Sequence, residues 1–245
     1  DYLDTIPHLF YYNTFLILSN GTEAKVGTLG SKYEFFHEWK RLSEQEQGSV
    51  ALETMLRGIC KKENFLDLLE NFILFDHSGG HTAKILARNH QYLGVNEAVK
   101  AYEARKLNNG KLGVFWHTQG SGKSYSMVFL AQKIRRKFSG SPTIVILTDR
   151  DELNTQISDT FENCGILGKT KANQFIASSG GDLIDKLKGN PSFIFTLIQK
   201  FNKADVEPIY PDHDIVIMSD EAHRSQYGIF ADNMVRLLPL SLIHI

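Results

Sequence analysis

Val114-Phe-Trp-His-Thr-Gln-Gly-Ser-Gly-Lys-Ser124 decides how this chain is read, because an apolar run passes into a glycine-rich turn and then into a helical pattern starting near Lys123. Gly120 and Gly122 let the backbone curl so that successive N–H groups converge on one point. The helix N-terminus that follows adds a partial positive charge there. Such a cradle suits phosphate oxygens. Thr118, Gln119, Gly120, Ser121 and Gly122 would wrap a polyphosphate, Lys123 would reach its β- and γ-phosphates, and Ser124 would offer a hydroxyl to Mg²⁺. The spacing is that of a P-loop for ATP, with one departure: the form G-x-x-x-x-G-K-[ST] asks for glycine where His117 stands.

Around this motif, short apolar runs alternate with helical patterns: Leu112 to Trp116, Thr143 to Leu147, Phe193 to Leu197 and Ile215 to Met218. Runs so short and so continuously apolar predict strands of a parallel sheet buried on both faces, with helices on either side. The last run ends in Asp220-Glu-Ala-His223. Asp220 would hold the nucleotide's Mg²⁺, and Glu221 would polarise the attacking water as general base. In a doubly wound sheet both motifs emerge at the carboxyl ends of the strands, where ligands bind. His223 and Arg224 either couple the nucleotide site to a track or are exposed polar residues.

The front of the chain has a different pattern. Tyr11 to Leu18 and Ala24 to Thr28 flank Asn20-Gly21, a hairpin signal, since both residues tolerate positive φ. Phe35, Phe36, Trp39 and Leu42 fall at helical spacing and predict a helix over 33–42. Apolar stripes from Ser43 to Asp76 predict a helical connector, Asp76 to His81 a loop, and 84–105 a long amphipathic helix. The 27 basic and 28 acidic residues nearly cancel, so no global basic field announces nucleic acid, and any such contact must be local. Two cysteines, Cys60 and Cys164, lie far apart, which argues against a zinc site or disulfide framework and fits a reducing, cytoplasmic setting. No membrane span or signal pattern is evident.

His117-Thr-Gln-Gly-Ser-Gly-Lys-Ser124 together with Asp220-Glu-Ala-His-Arg-Ser-Gln-Tyr-Gly228 resembles one family closely, the R subunit of type I restriction enzymes, a superfamily 2 motor in which His at position 117 is the expected residue. Leu147-Thr-Asp-Arg-Asp-Glu-Leu-Asn-Thr-Gln156 looks like its motif Ia, Phe195-Thr-Leu-Ile-Gln-Lys-Phe201 like the DNA-tracking motif that follows, and Arg88-Asn-His-Gln-Tyr92 like its adenine-reading Q motif. The resemblance implies a RecA-like first motor domain over 84–245, a helical connector over 46–83, and over 1–45 the C-terminal part of a PD-(D/E)xK-type nuclease domain. It implies double-stranded DNA as substrate, and modification (methyltransferase) and specificity subunits as partners. Arg150, Gln156, Thr196 and Lys200 would touch the DNA backbone, and Gln91 would read adenine, unless it is a surface glutamine. The nuclease carboxylates would lie upstream, with Tyr2 ending a Gln-x-x-x-Tyr motif. Glu23-Ala-Lys25 with Asp4 mimics a metal-dependent nuclease site, but the match places it on a hairpin beyond that site. Residues 240–245 depart from the family, which continues into a Thr-Gly-Thr-Pro motif, so the chain reads as a fragment that lacks the second motor domain and its arginine finger. Other superfamily 2 motors without a restriction role, and an ATP-binding assembly module, are the rival readings.

Overall fold

Asn20 shapes the first turn of the computed structural model, which describes residues 2–116, 118, 120–202, 207–209, 213–220 and 228–238. Its side-chain oxygen accepts the N–H groups of Thr22 and Glu23 at 3.0 and 2.8 Å, and Gly21 turns at φ +97°. Strands β1 (Leu16–Ser19) and β2 (Ala24–Gly27) therefore pair antiparallel, Leu16 opposite Gly27, as the Asn-Gly signal predicts.

The chain forms two compact units, Asp1–Asn96 and Glu97–Ile245. Besides the hairpin, the first contains α1 (Tyr2–Thr5), α2 (Leu52–Ile59), α3 (Lys62–Asn71), β3 (Ile73–Asp76), β4 (Ala83–Leu86) and the start of α4 (Asn89–Glu103). Its core is built on aromatic rings. Trp39 is 1% exposed and packs on Tyr92 at 5.3 Å between ring centroids, and Tyr92 packs on Phe72 at 4.8 Å. Helix α2 presses on the same indole through Gly58, where a Cβ would overlap the Trp39 ring.

Two helices expected from periodicity are different here. In place of a helix over 33–42 there is a single 3-10 turn, Tyr33–Phe35, after which the backbone extends and His37 exchanges both hydrogen bonds with Val26 (2.8 and 2.9 Å). Pairing with β2 and burial of Trp39 outweigh local helical spacing. The helix expected from 84 begins only at Asn89, because Ala83–Leu86 is drawn into a hairpin with Ile73–Asp76. The loop expected at Asp76–His81 lies in the turn of that hairpin.

His37 is a stability probe for this unit. Burial lowers its pKa from 6.5 to about 4; the Phe35 carbonyl opposes this most, Arg88 adds charge repulsion, and the Ala87 carbonyl and then His90 contribute less, in opposite directions. The ring is neutral when folded, whereas the unfolded chain takes up a proton below pH 6.5. Stability is therefore complete above pH 6.5, falls as pH drops toward 4, and the loss levels off at about 3 kcal/mol, roughly 2 of it by pH 5. Urea unfolding at pH 7.5 and pH 5 is expected to show that loss for the native chain, and a smaller one for His37→Gln. Equal losses in the two proteins would remove His37 as the cause.

The second unit is a parallel sheet in the order β6-β5-β7, with β5 (Thr143–Thr148) between β6 (Phe193–Leu197) and β7 (Ile215–Ser219). All residues of these strands are buried, as their continuous apolar runs predict. One face, carrying Val145, Leu147, Ile194, Ile215 and Ile217, packs on α7 (Gly180–Lys188) and α8 (Ile229–Leu237) through Leu183, Leu187, Met234 and Leu237. On the other face Phe161 of α6 (Asp151–Asn163) meets Phe193 and Phe195 edge-on at 5.6 and 5.4 Å. Helix α5 (Lys123–Lys137) packs beside α6. Helices on both faces make this a doubly wound α/β arrangement, which fits a RecA-like domain.

One expected strand is missing among the described residues. Leu112–Trp116 carries no ladder, Val114 and Trp116 are exposed, and Gly113 sits at φ +111°, outside the extended region a strand requires. None of the described helices is long and apolar enough to cross a membrane.

Candidate nucleotide site

Gly120 and Gly122 adopt φ +77° and +87°, the left-handed conformation that the sequence reading requires of them. The Thr118 carbonyl closes the turn by accepting the Ser121 N–H at 3.2 Å and the Ser121 hydroxyl at 2.6 Å. Helix α5 starts directly after, with Gly122 as its N-cap. A glycine cap has no side-chain oxygen to compete with an incoming anion for the first-turn amides. The opposite end of α5 carries Arg135, Arg136 and Lys137, which complement the helix dipole.

Across the sheet, β7 delivers Asp220. Its N–H donates to the Leu147 carbonyl at 2.9 Å, so it is registered at the end of the β5–β7 ladder. The Lys123 ammonium lies 3.9 Å from the Asp220 carboxylate. Lys123 is 41% exposed and Asp220 13% exposed, so the pair is open to solvent on one side. A part-exposed pair at this distance is worth about 0–1 kcal/mol and opens at little cost to a phosphate. Ser124 sits one residue on, half-buried in the first turn of α5. Ser124 and Asp220 offer only oxygen, the donor set a hard divalent cation takes. Among the described residues no group of three or more His, Cys, Asp or Glu could hold a metal. A nucleotide-borne Mg²⁺ needs no such cage, because phosphates and waters fill most of its shell.

His117, Gln119, Glu221, His223, Arg224 and 240–245 lie outside the described residues. Gln91 falls in the first unit and is 4% exposed, with its side-chain oxygen accepting the Arg88 N–H at 2.8 Å. It is thus no surface glutamine: it caps the start of α4 in capping-box fashion. Arg150 is the N-cap of α6, is well exposed and lies 3.9 Å from Asp149. Gln156 is exposed on α6, and Lys200 is half-buried with its ammonium on the Ala177 carbonyl. Thr196 needs correction as a DNA contact. It is fully buried within β6 and its hydroxyl turns toward the Leu197 carbonyl, so a phosphate cannot reach it.

Of the nuclease-like residues at the front, Asp4 lies on α1, and Glu23-Ala-Lys25 leads into β2 of the first hairpin. Glu23 and Lys25 line an open pocket of about 250 Å³ with Tyr33 and Glu38, and the Lys25 ammonium sits 4.7 Å from the centre of the Tyr33 ring. Asp4 is not among the residues lining it. Sequence reasoning missed Asn89, which clamps a distant segment: its oxygen accepts the N–H groups of Lys40 and Arg41, both at 3.1 Å, and its amide donates to the Arg41 carbonyl at 2.9 Å. No local signal marks such a long-range contact. Gln199 was missed too. It follows β6 and donates to the Asp149 carbonyl at 2.9 Å.

Residues 90–243 match the family model of the SWI2/SNF2 ATPase. The endonuclease subunit of the type I restriction enzyme HindI from Haemophilus influenzae is 38% identical over 93% of the chain and 23% of its own length. A protein of Methanocaldococcus jannaschii assigned as the MjaIXP endonuclease subunit of a type I restriction enzyme is 32% identical over 96% of the chain and 24% of its own length. The chain thus spans about a quarter of the length of these curated relatives. Among solved structures, T4 UvsW covers 93% of this chain and 51% of its own at 13% identity, with a TM-score of 0.48, too distant to say anything of fold or function.

Proposed function

The chain belongs to the SWI2/SNF2 ATPase family and is related to the endonuclease subunits of type I restriction enzymes, and from that membership we propose that it serves a type I restriction-modification system as its ATP-driven DNA-pumping and cleaving subunit. The observation that carries the reading is the meeting of Lys123 and Asp220 at 3.9 Å, which joins the glycine-rich turn to the Asp-Glu box at one end of the sheet. Lys123 and the first-turn amides of α5 bind the β- and γ-phosphates. Ser124 and Asp220 hold the Mg²⁺, directly or through water. When bound, that ion neutralises charge on the phosphates. Glu221 orients and polarises the attacking water, the part phosphoryl transfer most needs from a protein.

Arg150, Gln156 and Lys200 contact the DNA backbone, a mode that gives affinity without reading sequence. Recognition of a DNA site falls to a specificity subunit, and methylation to a modification subunit, in a cytoplasmic complex. Gln91 contributes to adenine preference while its oxygen caps α4. Residues 1–45 are the closing part of a nuclease domain whose carboxylates belong to another stretch of the protein.

The test is hydrolysis of Mg-ATP by the natural protein that carries this sequence, with and without double-stranded DNA. Stimulation of at least about tenfold is expected, the size typical of coupled sites. Tight ATP binding with turnover indifferent to DNA would instead mark an ATP-binding assembly module and overturn the motor reading.

A further inference from the structure

The carboxyl ends of β5 and β6 lie side by side, Thr148 opposite Leu197, so the loop after one strand meets the 3-10 turn after the other, Ile198–Lys200. That turn is well anchored. Ile198 and Phe201 are buried in the core cluster, the Phe201 N–H donates to the Ile198 carbonyl at 3.1 Å, and Asn233 of α8 donates its amide to the Phe201 carbonyl at 2.9 Å. From this post the exposed Gln199 donates its amide to the Asp149 carbonyl at 2.9 Å. A carbonyl can only accept, so the NH₂ end of Gln199 is fixed toward it.

The Asp149 carbonyl and the Arg150 N–H belong to one planar trans peptide and point in opposite directions. Gln199 therefore turns the carbonyl toward the β6 turn and the N–H away from it. The next peptide is held too, because the Arg150 carbonyl accepts the Asn154 N–H at 3.0 Å as the first bond of α6. With the peptides on both sides set, so is the direction in which the Arg150 side chain leaves the backbone. Its N–H has no hydrogen-bond partner among the described residues, and its side chain is 59% exposed, 3.9 Å from the Asp149 carboxylate. A pair so long and so open releases its guanidinium to a phosphate at little cost. Asp151 and Glu152, exposed in the first turn of α6, disfavour an anion on the helix axis, so a phosphate here is held by Arg150 and not by the helix end.

We propose that Gln199 is a positioning residue for DNA binding: by holding the Asp149 carbonyl it presents the Arg150 N–H and guanidinium together to one phosphate of the DNA backbone. This rests on the motor reading given above, in which Arg150 meets DNA. A guanidinium uses its paired N–H groups on a phosphate only from a fixed approach, and the backbone N–H adds a further donor on the same side. Gln199 itself is neutral and brings no charge to the interface. The competing account is a static brace between two loops, whose loss lowers stability and leaves phosphate contacts untouched. Salt separates the two, because each phosphate contact releases counterions and a lost contact makes affinity less dependent on salt.

The experiment titrates the natural protein onto fluorescently labelled double-stranded DNA over a series of salt concentrations, for wild type, Arg150→Ala, Gln199→Met and the double variant, with thermal unfolding followed in parallel. Methionine keeps the length and neutrality of the side chain and removes the donor. Arg150→Ala is expected to weaken binding about tenfold and to reduce the slope of log affinity against log salt by about 1. Gln199→Met is expected to weaken binding at least about threefold and to reduce the same slope although no charge is removed, and the double variant is expected to match Arg150→Ala within about twofold. Unchanged slope and affinity in Gln199→Met, or losses that multiply in the double variant, would overturn the positioning role. If Gln199→Met fails to fold, Gln199→Ala decides by the same two readings. If Arg150→Ala binds DNA as wild type does, there is no contact for Gln199 to position, and the proposal falls while the motor reading stands. A wild type that does not bind DNA overturns the motor reading and the proposal together.

Discussion

Lys123→Ala is expected to weaken Mg-ATP binding about a hundredfold, or roughly 3 kcal/mol, in a calorimetric titration. Two losses combine. The charge-assisted hydrogen bonds to the phosphates disappear, and so does the ammonium that lies 3.9 Å from the Asp220 carboxylate and offsets its charge toward the polyphosphate. Neither Gly120 nor Gly122 is disturbed, so the cradle of amides survives and residual binding is expected instead of none. Equal affinity in wild type and variant would sink the P-loop assignment. The contrasting substitution is Glu221→Gln, for which ATP binding should persist while DNA-stimulated hydrolysis falls by at least two orders of magnitude, because water activation is lost and phosphate binding is not. If Glu221→Gln also abolished binding, the separation of roles between the two motifs would be wrong.

Trp39→Ala is expected to destabilise the first unit by about 4 kcal/mol, seen as a shift of its denaturation midpoint. The indole is almost wholly buried and touches Tyr92, and α2 lies against it through a glycine. Because helix packing around Gly58 is shaped to the ring, the cavity left by alanine cannot collapse easily. A loss of this size is a large fraction of the 5–15 kcal/mol of a typical domain, so folding of that unit is expected to be marginal in the variant. A midpoint unmoved by the substitution would show that the aromatic cluster is not the core of the first unit.

The motifs were legible because they are local. Gly120 and Gly122 had to take positive φ for the turn to exist, and they do. Strands β5, β6 and β7 were legible because burial on both faces leaves an unbroken apolar run, which little else of that length produces. The hairpin at Asn20-Gly21 was readable for the same kind of reason, since one side chain and one glycine determine it.

What failed was everything that depends on a distant partner. Periodicity over 33–42 predicted a helix, yet Val26 supplies hydrogen bonds that draw His37 into extended backbone. Residues 83–86 looked helical until β3 claimed them. Thr196 read as a DNA contact from its place in a motif, and only the sheet shows that its hydroxyl is enclosed. Amino-acid order by itself thus determined the glycine-rich turn ahead of α5 and the sheet class, because each is written in neighbouring residues whose conformations are locally constrained. The tertiary structure alone decided that Lys123 meets Asp220, that Asn89 clamps residues 40 and 41, and that Gln199 and Asn233 tie the turn after β6 to the loop after β5 and to α8. The physical reason is that each of these contacts is made of hydrogen bonds or an ion pair between segments brought together by burial of the core, and burial is a property of the whole chain.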